Sequence, residues 1–225
     1  FHIERRTWLG SVWSVWSEIA TVSGSSPQTL TGGTFTYSNT GLTPNTMYGY
    51  RVRAHDHATP PPGGSYSGYT DPVSATTPPP PTADVTFSQV RVSSDFTGTV
   101  LTIDGTINLG VADLPKTYTW TIGDSHTFAY VSPLVVTANS KQYVWTSTSG
   151  LSTAQSGSIT VASGGGSVKG NYKTQYYLTV KTNPLNVVAI SGEGWYDKAT
   201  PDTTVQLTAP STVAVSDGIQ WRFDH

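Results

Sequence analysis

The stretch 36-TYSNTGLTPNTMYGYRVRAHD-56 combines a turn signal with a strand of period two, and it decides the fold class of the region around it. Tyr48, Tyr50 and Val52 fall on one face of the predicted strand, whereas Arg51 falls on the other. Gly, Pro and Asn cluster just before this alternation, as they do in a tight turn. The pattern predicts a strand with one buried face that is entered through a defined turn.

The same period of two recurs along most of the chain. Tyr118, Trp120 and Ile122, for example, alternate with three threonines. No stretch sustains the 3.6-residue apolar period of an amphipathic helix. Many short strands separated by Gly- and Pro-rich turns are typical of antiparallel β-sandwiches. We therefore predict an all-β protein made of tandem antiparallel, immunoglobulin-like β-sandwich domains in a rod-like array.

Composition excludes several classes of function. The 225 residues carry a formal net charge of -2, only 12% of them are charged, and the 12 Lys and Arg residues are scattered. A nucleic-acid surface or a polybasic membrane anchor needs clustered basic residues, so neither is expected. No apolar run approaches the length of a transmembrane helix, so no membrane insertion is expected in this segment. The chain has no cysteine for a disulfide, a thiolate metal site or a catalytic thiol.

The proline-rich stretch 76-TTPPPPTAD-84 is the clearest domain boundary. Four consecutive prolines favour a stiff, extended spacer and cannot enter a central strand, because they lack the backbone N–H donor. We predict a first domain at 1–77 and a proline-rich linker at 78–85, with the remaining domains after it.

The first domain resembles a fibronectin type III domain. The run 41-GLTPNTMYGYRVRA-54 is similar to the E–F turn and F strand of that family, and 67-SGYTDPVSATT-77 is similar to its G strand. The runs 1-FHIERRT-7 and 17-SEIATV-22 are similar to strands C and C′. The resemblance covers residues 1–77 and implies a β-sandwich in which strands A and B of the family have no counterpart.

Leu42, Pro44 and Tyr48 have the spacing of a tyrosine corner. In that feature a tyrosine hydroxyl bonds back to the backbone of the turn that precedes its strand. We therefore predict structural roles for Leu42 and Tyr48.

The missing strands A and B predict an incomplete first domain. The inner faces of Phe1, Ile3, Tyr50 and Val52 would then be uncovered, although burial of such side chains stabilises a fold by roughly 1.5–3 kcal/mol each. Two explanations are open. We favour the interpretation that the 225 residues are an interior window of a longer chain. The alternative is that neighbouring molecules complete one another by strand donation.

The rest of the chain contains an internal repeat of about 76 residues. Four pairs of segments match: LTIDG at 101 with LTVKT at 178, TWTIGDSHTF at 119 with GWYDKATPDT at 194, SPLVV at 132 with APSTVAV at 209, and YVWTS at 143 with IQWRF at 219. We predict one β-sandwich copy at 86–172 and a second, incomplete copy at 173–225. The segments YKTQYYLTV and SGEGWYD resemble a β-repeat of very large secreted and cell-surface proteins of archaea.

Tryptophans recur at equivalent positions of the two predicted copies. They are Trp120 and Trp195 in one pair of matching segments, and Trp145 and Trp221 in another. Recurrence at fixed repeat positions is expected of residues that pack in the core of each copy. We therefore predict that these four tryptophans are structural.

The run 8-WLGSVWSVW-16 places Trp8, Trp13 and Trp16 within nine residues. These tryptophans are the candidate interface or ligand residues of the chain. One interpretation is an edge ribbon in which the indoles pack inward or form a protein interface. The other is an aromatic platform that stacks on sugar rings.

Candidate catalytic and metal chemistry is sparse. The HDH run at 55–57 could offer a cation two imidazoles, but a structural zinc site needs four ligands and no second cluster accompanies it. Only three glutamates accompany the scattered aspartates, and the chain has neither a G-x-S-x-G elbow nor a phosphate-binding loop. We expect no enzyme activity, no metal and no cofactor.

Two functions remain open. We favour a non-catalytic structural or adhesive segment of a large extracellular or cell-surface protein, as part of a filament, a stalk or a surface layer. Its partners would be copies of itself, neighbouring domains of the same long chain, or surface glycans and proteins. The alternative is an accessory module of a secreted multidomain enzyme that binds a carbohydrate or a protein.

Overall fold

The computed structural model describes the side chains and backbone of residues 1–22, 36–55, 64–181, 190–198 and 204–208, and the backbone alone at 212–214 and 220–222. The chain divides into two units, Phe1–Pro81 and Thr82–His225. The described residues form strands and one 3-10 turn at Val111–Asp113, without an α-helix, so the fold is all-β. Consequently this part of the chain contains no helix with the length and apolarity of a membrane span.

The first unit contains one antiparallel sheet. Its four strands are β1 (His2–Thr7), β2 (Ser17–Thr21), β3 (Met47–Arg53) and β4 (Val73–Thr76). They lie side by side in the order β2-β1-β3-β4. The central strands β1 and β3 pair along their whole length, from His2 opposite Arg53 to Thr7 opposite Tyr48. The strand predicted after the turn at 41–46 is β3.

Alternation gives this sheet an apolar face and a charged face. Ile3 and Tyr48 on the apolar face are buried, whereas Tyr50 and Val52 are half-buried and Phe1 is 37% exposed. The expectation that all four inner residues would be uncovered is therefore wrong for Ile3. Ile3 is in a central strand, where cross-strand neighbours on both sides shield it.

The turn before β3 has the bond expected of a tyrosine corner. The backbone N–H of Thr43 donates a hydrogen bond to the Tyr48 hydroxyl, at 3.0 Å. The end of β4 reaches the same turn, because the Thr77 hydroxyl donates to the Thr43 carbonyl (2.6 Å) and accepts from the Thr46 N–H (3.0 Å). Leu42 is half-buried beside this network.

The second unit begins with nine strands. They are β5 (Thr82–Val90), β6 (Leu101–Ile103), β7 (Ile107–Leu109), β8 (Lys116–Thr121), β9 (Ser125–Tyr130), β10 (Leu134–Thr137), β11 (Lys141–Gly150), β12 (Ser156–Thr160) and β13 (Gly166–Leu178). One sheet has the order β10-β11-β13-β5-β8 and the other has the order β12-β9-β6-β7. β5 and β13 are parallel to each other, and the other neighbours are antiparallel.

Both sheets contribute side chains to one hydrophobic core. Phe87 of β5 and Tyr172 of β13 meet Ile103 of β6 and Tyr130 of β9 in a single cluster of buried residues. The Tyr130 hydroxyl lies within hydrogen-bond distance of two carbonyl oxygens, those of Ser88 (2.7 Å) and of β13 (3.0 Å). Burial raises the pKa of Tyr130 to about 12. The unit therefore contains a β-sandwich with an aromatic-rich core.

The connection into β13 depends on a glycine. Gly165 has a φ of +65°, and a Cβ atom there would lie 2.1 Å from the carbonyl oxygen of Asp84 in β5. A Cβ atom built on the neighbouring Gly164 would have no other heavy atom within 4 Å. The backbone of the 164–165 turn thus passes directly against β5 where the parallel pairing begins, at Gly166 opposite Val85.

Two predicted boundaries fall inside strands. Residues 82–85 of the predicted linker belong to β5, and the predicted division at 172/173 falls inside β13. β13 continues past this point and pairs antiparallel with β14 (Gly194–Asp197). Two further strands, β15 (Thr212–Ala214) and β16 (Gln220–Arg222), pair with each other. The repeat itself stays a prediction.

Two of the matched repeat positions differ in their surroundings. Leu101 is fully buried in β6, whereas Leu178 ends β13 and is half-buried. By contrast, Trp120 and Trp195 both lie on strands that pair antiparallel with a longer strand, opposite Ala83 and Tyr177 respectively. The Pro210 position and the Trp221 side chain lie outside the described residues.

Candidate functional site

The predicted tryptophan cluster lies in the connection between β1 and β2, and this connection folds back on the sheet. Trp8 and Trp13 form an isolated β-bridge, and their ring centroids are 5.2 Å apart at an interplanar angle of 65°. The Ser14 N–H donates to the Thr7 carbonyl at 2.8 Å, which returns the chain towards β1. All three predicted tryptophans, Trp16 included, are half-buried.

The charged face of the first sheet is covered by a row of alternating aromatic rings and guanidinium groups. Arg6 lies over Trp13 (4.3 Å) and Trp16 (4.5 Å). Arg51 lies over Trp16 (4.4 Å) and over Tyr69 (3.7 Å). These residues form the first part of the arginine–aromatic ladder. Its members, in order, are Trp13, Arg6, Trp16, Arg51, Tyr69, Arg53 and Tyr66.

The far end of the ladder continues the same alternation. Arg53 lies 4.9 Å from the Tyr69 ring and 3.9 Å from the Tyr66 ring. Tyr66 in turn stacks on His55, with ring centroids 4.2 Å apart. Cation–π contacts of this kind stabilise by about 0.5–1 kcal/mol at exposed sites and by more when the cation is desolvated.

Strand register explains why these side chains meet. Arg6 is opposite Gly49, Glu4 is opposite Arg51, and His2 is opposite Arg53, so their side chains share one face. Gly49 is buried, and a Cβ atom there would lie 3.1 Å from Arg6 Nε and 3.4 Å from the Trp13 ring. The bare glycine therefore lets Arg6 and Trp13 lie flat on the sheet.

Glu4 is one of two carboxylates of this face, the other being Glu18, which lies opposite it on β2. Glu4 pairs with Arg51 at 2.6 Å, and its other oxygen accepts a short hydrogen bond from the Tyr69 hydroxyl. Burial by itself would raise the pKa of Glu4, but the hydrogen bonds from Tyr69 and Arg51 and the charges of Arg51 and Arg53 outweigh it and lower that pKa. The same hydrogen bond to Glu4 raises the pKa of Tyr69.

The ladder has more cations than anions. The three guanidinium groups share this face with two carboxylates, those of Glu4 and Glu18, which leaves an excess of one positive charge. Arg6 and Arg53 make no ion pair within the described residues, and the Nε atom of each is buried without a hydrogen-bond partner there. This face can therefore accept negative charge.

The rings of the ladder are poorly placed to stack on a sugar. Trp16 has the guanidinium groups of both Arg6 and Arg51 over it, and Tyr66 lies between Arg53 and His55. Little ring face is left on these residues for a pyranose. The ring edges and the guanidinium edges are the groups that a ligand would meet.

Metal-binding groups do not converge in the described ranges. His55 is described, but Asp56 and His57 of the predicted HDH run lie outside the described residues. No group of three or more His, Asp or Glu side chains that could hold a metal ion occurs among the described residues. His2, near His55, instead pairs with Glu18 at 2.9 Å.

The predicted structural tryptophans of the second unit have varied contacts. Trp120 stacks on His126 (3.6 Å) and, like Trp145, packs against the core. The Trp145 indole N–H donates to the Thr148 hydroxyl at 3.1 Å. Trp195 meets the Tyr177 ring edge-on at 5.2 Å.

Sequence reasoning found the tryptophans of this site but missed its charged and phenolic members. Glu4, Arg6, Arg51 and Arg53 alternate with apolar residues on β1 and β3, and that alternation was the available signal. Tyr69 and Tyr66 follow a proline-rich run of the sequence, and no local pattern assigns them to the same face. Their position depends on tertiary structure.

Comparison of the chain with protein-family models, with curated proteins and with solved structures finds no match.

Proposed function

We propose that the chain is a non-catalytic structural or adhesive segment of a large extracellular or cell-surface protein, within a filament, a stalk or a surface layer. The observation that carries this proposal is the continuity of β13. This strand closes the sandwich against β5 and then pairs with β14 without leaving the extended conformation. A shared strand joins successive modules more stiffly than a flexible linker does. A stiff connection suits a segment that serves as a spacer in an extended assembly.

The first unit supports the same proposal in a second way. Its strand order β2-β1-β3-β4 is the order of strands C′, C, F and G of a fibronectin type III domain, and the Thr43–Tyr48 bond has the geometry of a tyrosine corner. We propose that residues 1–77 belong to that fold. Nuclear Overhauser contacts between backbone protons that place these four strands in another order would contradict this assignment.

Small-angle X-ray scattering of the 225-residue chain tests the rod-like arrangement. A compact protein of this length has a radius of gyration of about 17 Å. We expect a clearly larger value and a pair-distance distribution with a long tail. A radius of gyration near the compact value would overturn the proposed rod. This test does not depend on whether the first unit binds a ligand.

The second candidate function is an accessory module that binds a carbohydrate or a protein. The observation that favours it is the excess positive charge of the arginine–aromatic ladder. Glycan-array binding that is lost in Trp8→Ala or Trp13→Ala variants would support this candidate. Absence of glycan binding by the wild-type chain would remove the carbohydrate-binding form of this candidate.

A further inference from the structure

Where β13 leaves the sandwich, it forms a ribbon with β14. The pairing is antiparallel and runs from Gln175 opposite Asp197 to Leu178 opposite Gly194. The chain segment 179–193 connects the two strands at the Leu178 end of the ribbon. The chain leaves the ribbon at the other end, beside Asp197, which we call the open end.

The ribbon has little buried apolar surface to hold it together. Among the described residues, none after Tyr172 belongs to the hydrophobic core of the second unit. The residues of β14 are half-buried or exposed, and Tyr176 on the facing part of β13 is 44% exposed. Segments with few buried apolar contacts open at a lower free-energy cost than a core does. Polar contacts must therefore supply much of the attachment of β14.

A row of polar side chains crosses the sheet at the open end of the ribbon. Gln142 of β11 lies opposite Gln175, which lies opposite Asp197, so the three side chains share one face. The side-chain amide of Gln142 donates to the Gln175 side-chain oxygen at 2.8 Å, and the Gln175 amide donates to Asp197 at 2.7 Å. Lys173 donates to the second carboxylate oxygen of Asp197 at 2.8 Å. We call these residues, Gln142, Gln175, Asp197 and Lys173, the polar strap.

The strap places the strongest side-chain bonds of the ribbon at its open end. Hydrogen bonds to an ionised carboxylate stabilise more than bonds between neutral groups do. The two glutamine amides donate in the same direction along the row, so each bond polarises the next. The backbone bond from the Lys198 N–H to the Thr174 carbonyl, at 2.8 Å, lies directly beside Asp197. The strap therefore reinforces the backbone pairing where the chain leaves the ribbon.

The other side-chain contacts on this face lie towards the Leu178 end. The Tyr177 hydroxyl donates to Glu193 at 3.1 Å, and the Tyr177 ring meets Trp195 edge-on. An antiparallel ribbon frays from its open end, so the pairs beside Asp197 separate before those beside Tyr177. The strap thus acts on the first step of opening.

We infer that the β13–β14 ribbon is a joint of the chain, which opens from its Asp197 end while the β-sandwich stays folded and which the polar strap keeps closed. The use of this joint to set the stiffness of an array rests on the structural role proposed above. The opening itself does not, so the test of the joint and the scattering test of the rod have independent outcomes.

Amide hydrogen exchange of the 225-residue chain, followed by NMR and corrected for intrinsic exchange rates, tests the joint. In the wild-type chain the amides of β14 should exchange faster than those of β5 and β9, because the ribbon opens without the sandwich. Asp197→Ala removes the acceptor of both Lys173 and Gln175, so exchange at β14 and at the Lys198 N–H should become about tenfold faster. Exchange in β5 and β9 should change by less than about twofold.

Asp124→Ala is the matched control, because Asp124 is an exposed carboxylate of the same unit whose side chain makes no hydrogen bond or ion pair within the described residues. It should leave exchange at β14 within about twofold of the wild-type rate.

Lys173→Ala removes the other charge of the strap and should also speed exchange at β14 severalfold. Combined with Asp197→Ala, it should add less than its effect alone, because the two side chains interact directly. Lys198→Ala is its control, since it removes an exposed cation beside the strap that makes no side-chain hydrogen bond within the described residues.

Three results would overturn the inference. The first is unchanged exchange at β14 in both Asp197→Ala and Lys173→Ala, which would show that the strap does not keep the ribbon closed. The second is an equal acceleration in β5 and β9, which would show that ribbon and sandwich open together. The third is exchange of the wild-type β14 amides at the rate of an unfolded chain, which would show that β14 is not held on β13 at all.

Discussion

At the scale of single residues, the first unit depends on polar side chains whose hydrogen bonds join separate segments of the chain. Glu4 balances part of a cationic face, and the Tyr48 hydroxyl is the acceptor for a turn N–H. A half-buried polar group that loses its partner costs more than the bond itself is worth, because it cannot regain the bonds it would make in water. Substitutions at these two positions are therefore informative.

Glu4→Gln should destabilise the first unit at neutral pH by about 1–2 kcal/mol, after allowance for the partial exposure of the pair. The lowered pKa of Glu4 means that the folded state favours the ionised carboxylate. The stabilisation that the ionised Glu4 carboxylate gives to the fold is therefore complete above the pKa that Glu4 has in the unfolded chain. It is lost as the pH falls through the lower pKa that Glu4 has in the folded state. The difference between the two proteins should shrink as the pH falls.

Urea unfolding at several pH values, followed by hydrogen exchange at amides of β1 and β3, measures this effect. Asp71→Asn is the control, because it removes an exposed carboxylate of the same unit that makes no ion pair or hydrogen bond within the described residues. It should change the free energy of unfolding by less than about 0.5 kcal/mol. A stability difference for Glu4→Gln that does not vary with pH would contradict the role given to the carboxylate.

Tyr48→Phe removes the acceptor of the Thr43 N–H and should lower the Tm of the first unit by about 5 °C. Tyr37→Phe serves as the control, because the Tyr37 ring is 40% exposed and its hydroxyl makes no hydrogen bond within the described residues. Differential scanning calorimetry distinguishes the two variants. Equal shifts in both would show that the hydroxyl bond of Tyr48 contributes nothing specific.

At the scale of elements, the parallel pair β5 and β13 is the least expected feature of the second unit. Six residue pairs join the strands, from Gly166 opposite Val85 to Asn171 opposite Val90. Parallel neighbours need a long connection, and here the other strands of the sandwich supply it. The close passage of Gly165 beside Asp84 marks the start of this pairing.

Gly165→Ala should destabilise the second unit by about 3 kcal/mol or more, because the new methyl group would overlap the Asp84 carbonyl and the left-handed backbone disfavours alanine. Gly164→Ala, with open space at the same position, is the matched control and should change stability by less than about 1 kcal/mol. Thermal unfolding compares the two. A Gly165→Ala protein as stable as the control would show that β5 and β13 are not this close.

Sequence reasoning predicted the elements better than their assembly. Strands such as β3 and β8 follow from local alternation, because one face of each must be buried. The ladder could not be predicted, since it requires Arg6 to lie opposite Gly49 across more than forty residues. The division at 172/173 fell inside β13 because alternation continues through Tyr172 and Thr174 without a turn signal.

At the scale of the whole molecule, the chain divides into two units, each with its own sheets. We expect two calorimetric transitions. Tyr48→Phe should shift only one of them and Gly165→Ala only the other, because each change acts on a separate set of contacts. A single transition that both variants shift equally would show that the units unfold together.

The parallel orientation of β5 and β13 also determines how the second unit would respond to tension. The chain enters the sandwich at the start of β5 and leaves it at the end of β13, and these two ends lie at opposite ends of the pair. A pulling force along the chain therefore loads the hydrogen bonds between the two strands in shear, all at once, whereas antiparallel ends would unzip one bond after another. Single-molecule force spectroscopy should show one high-force rupture for this sandwich, and Gly165→Ala should lower that force. The strand that continues beyond the sandwich to pair with β14 would thus also be its mechanical clamp.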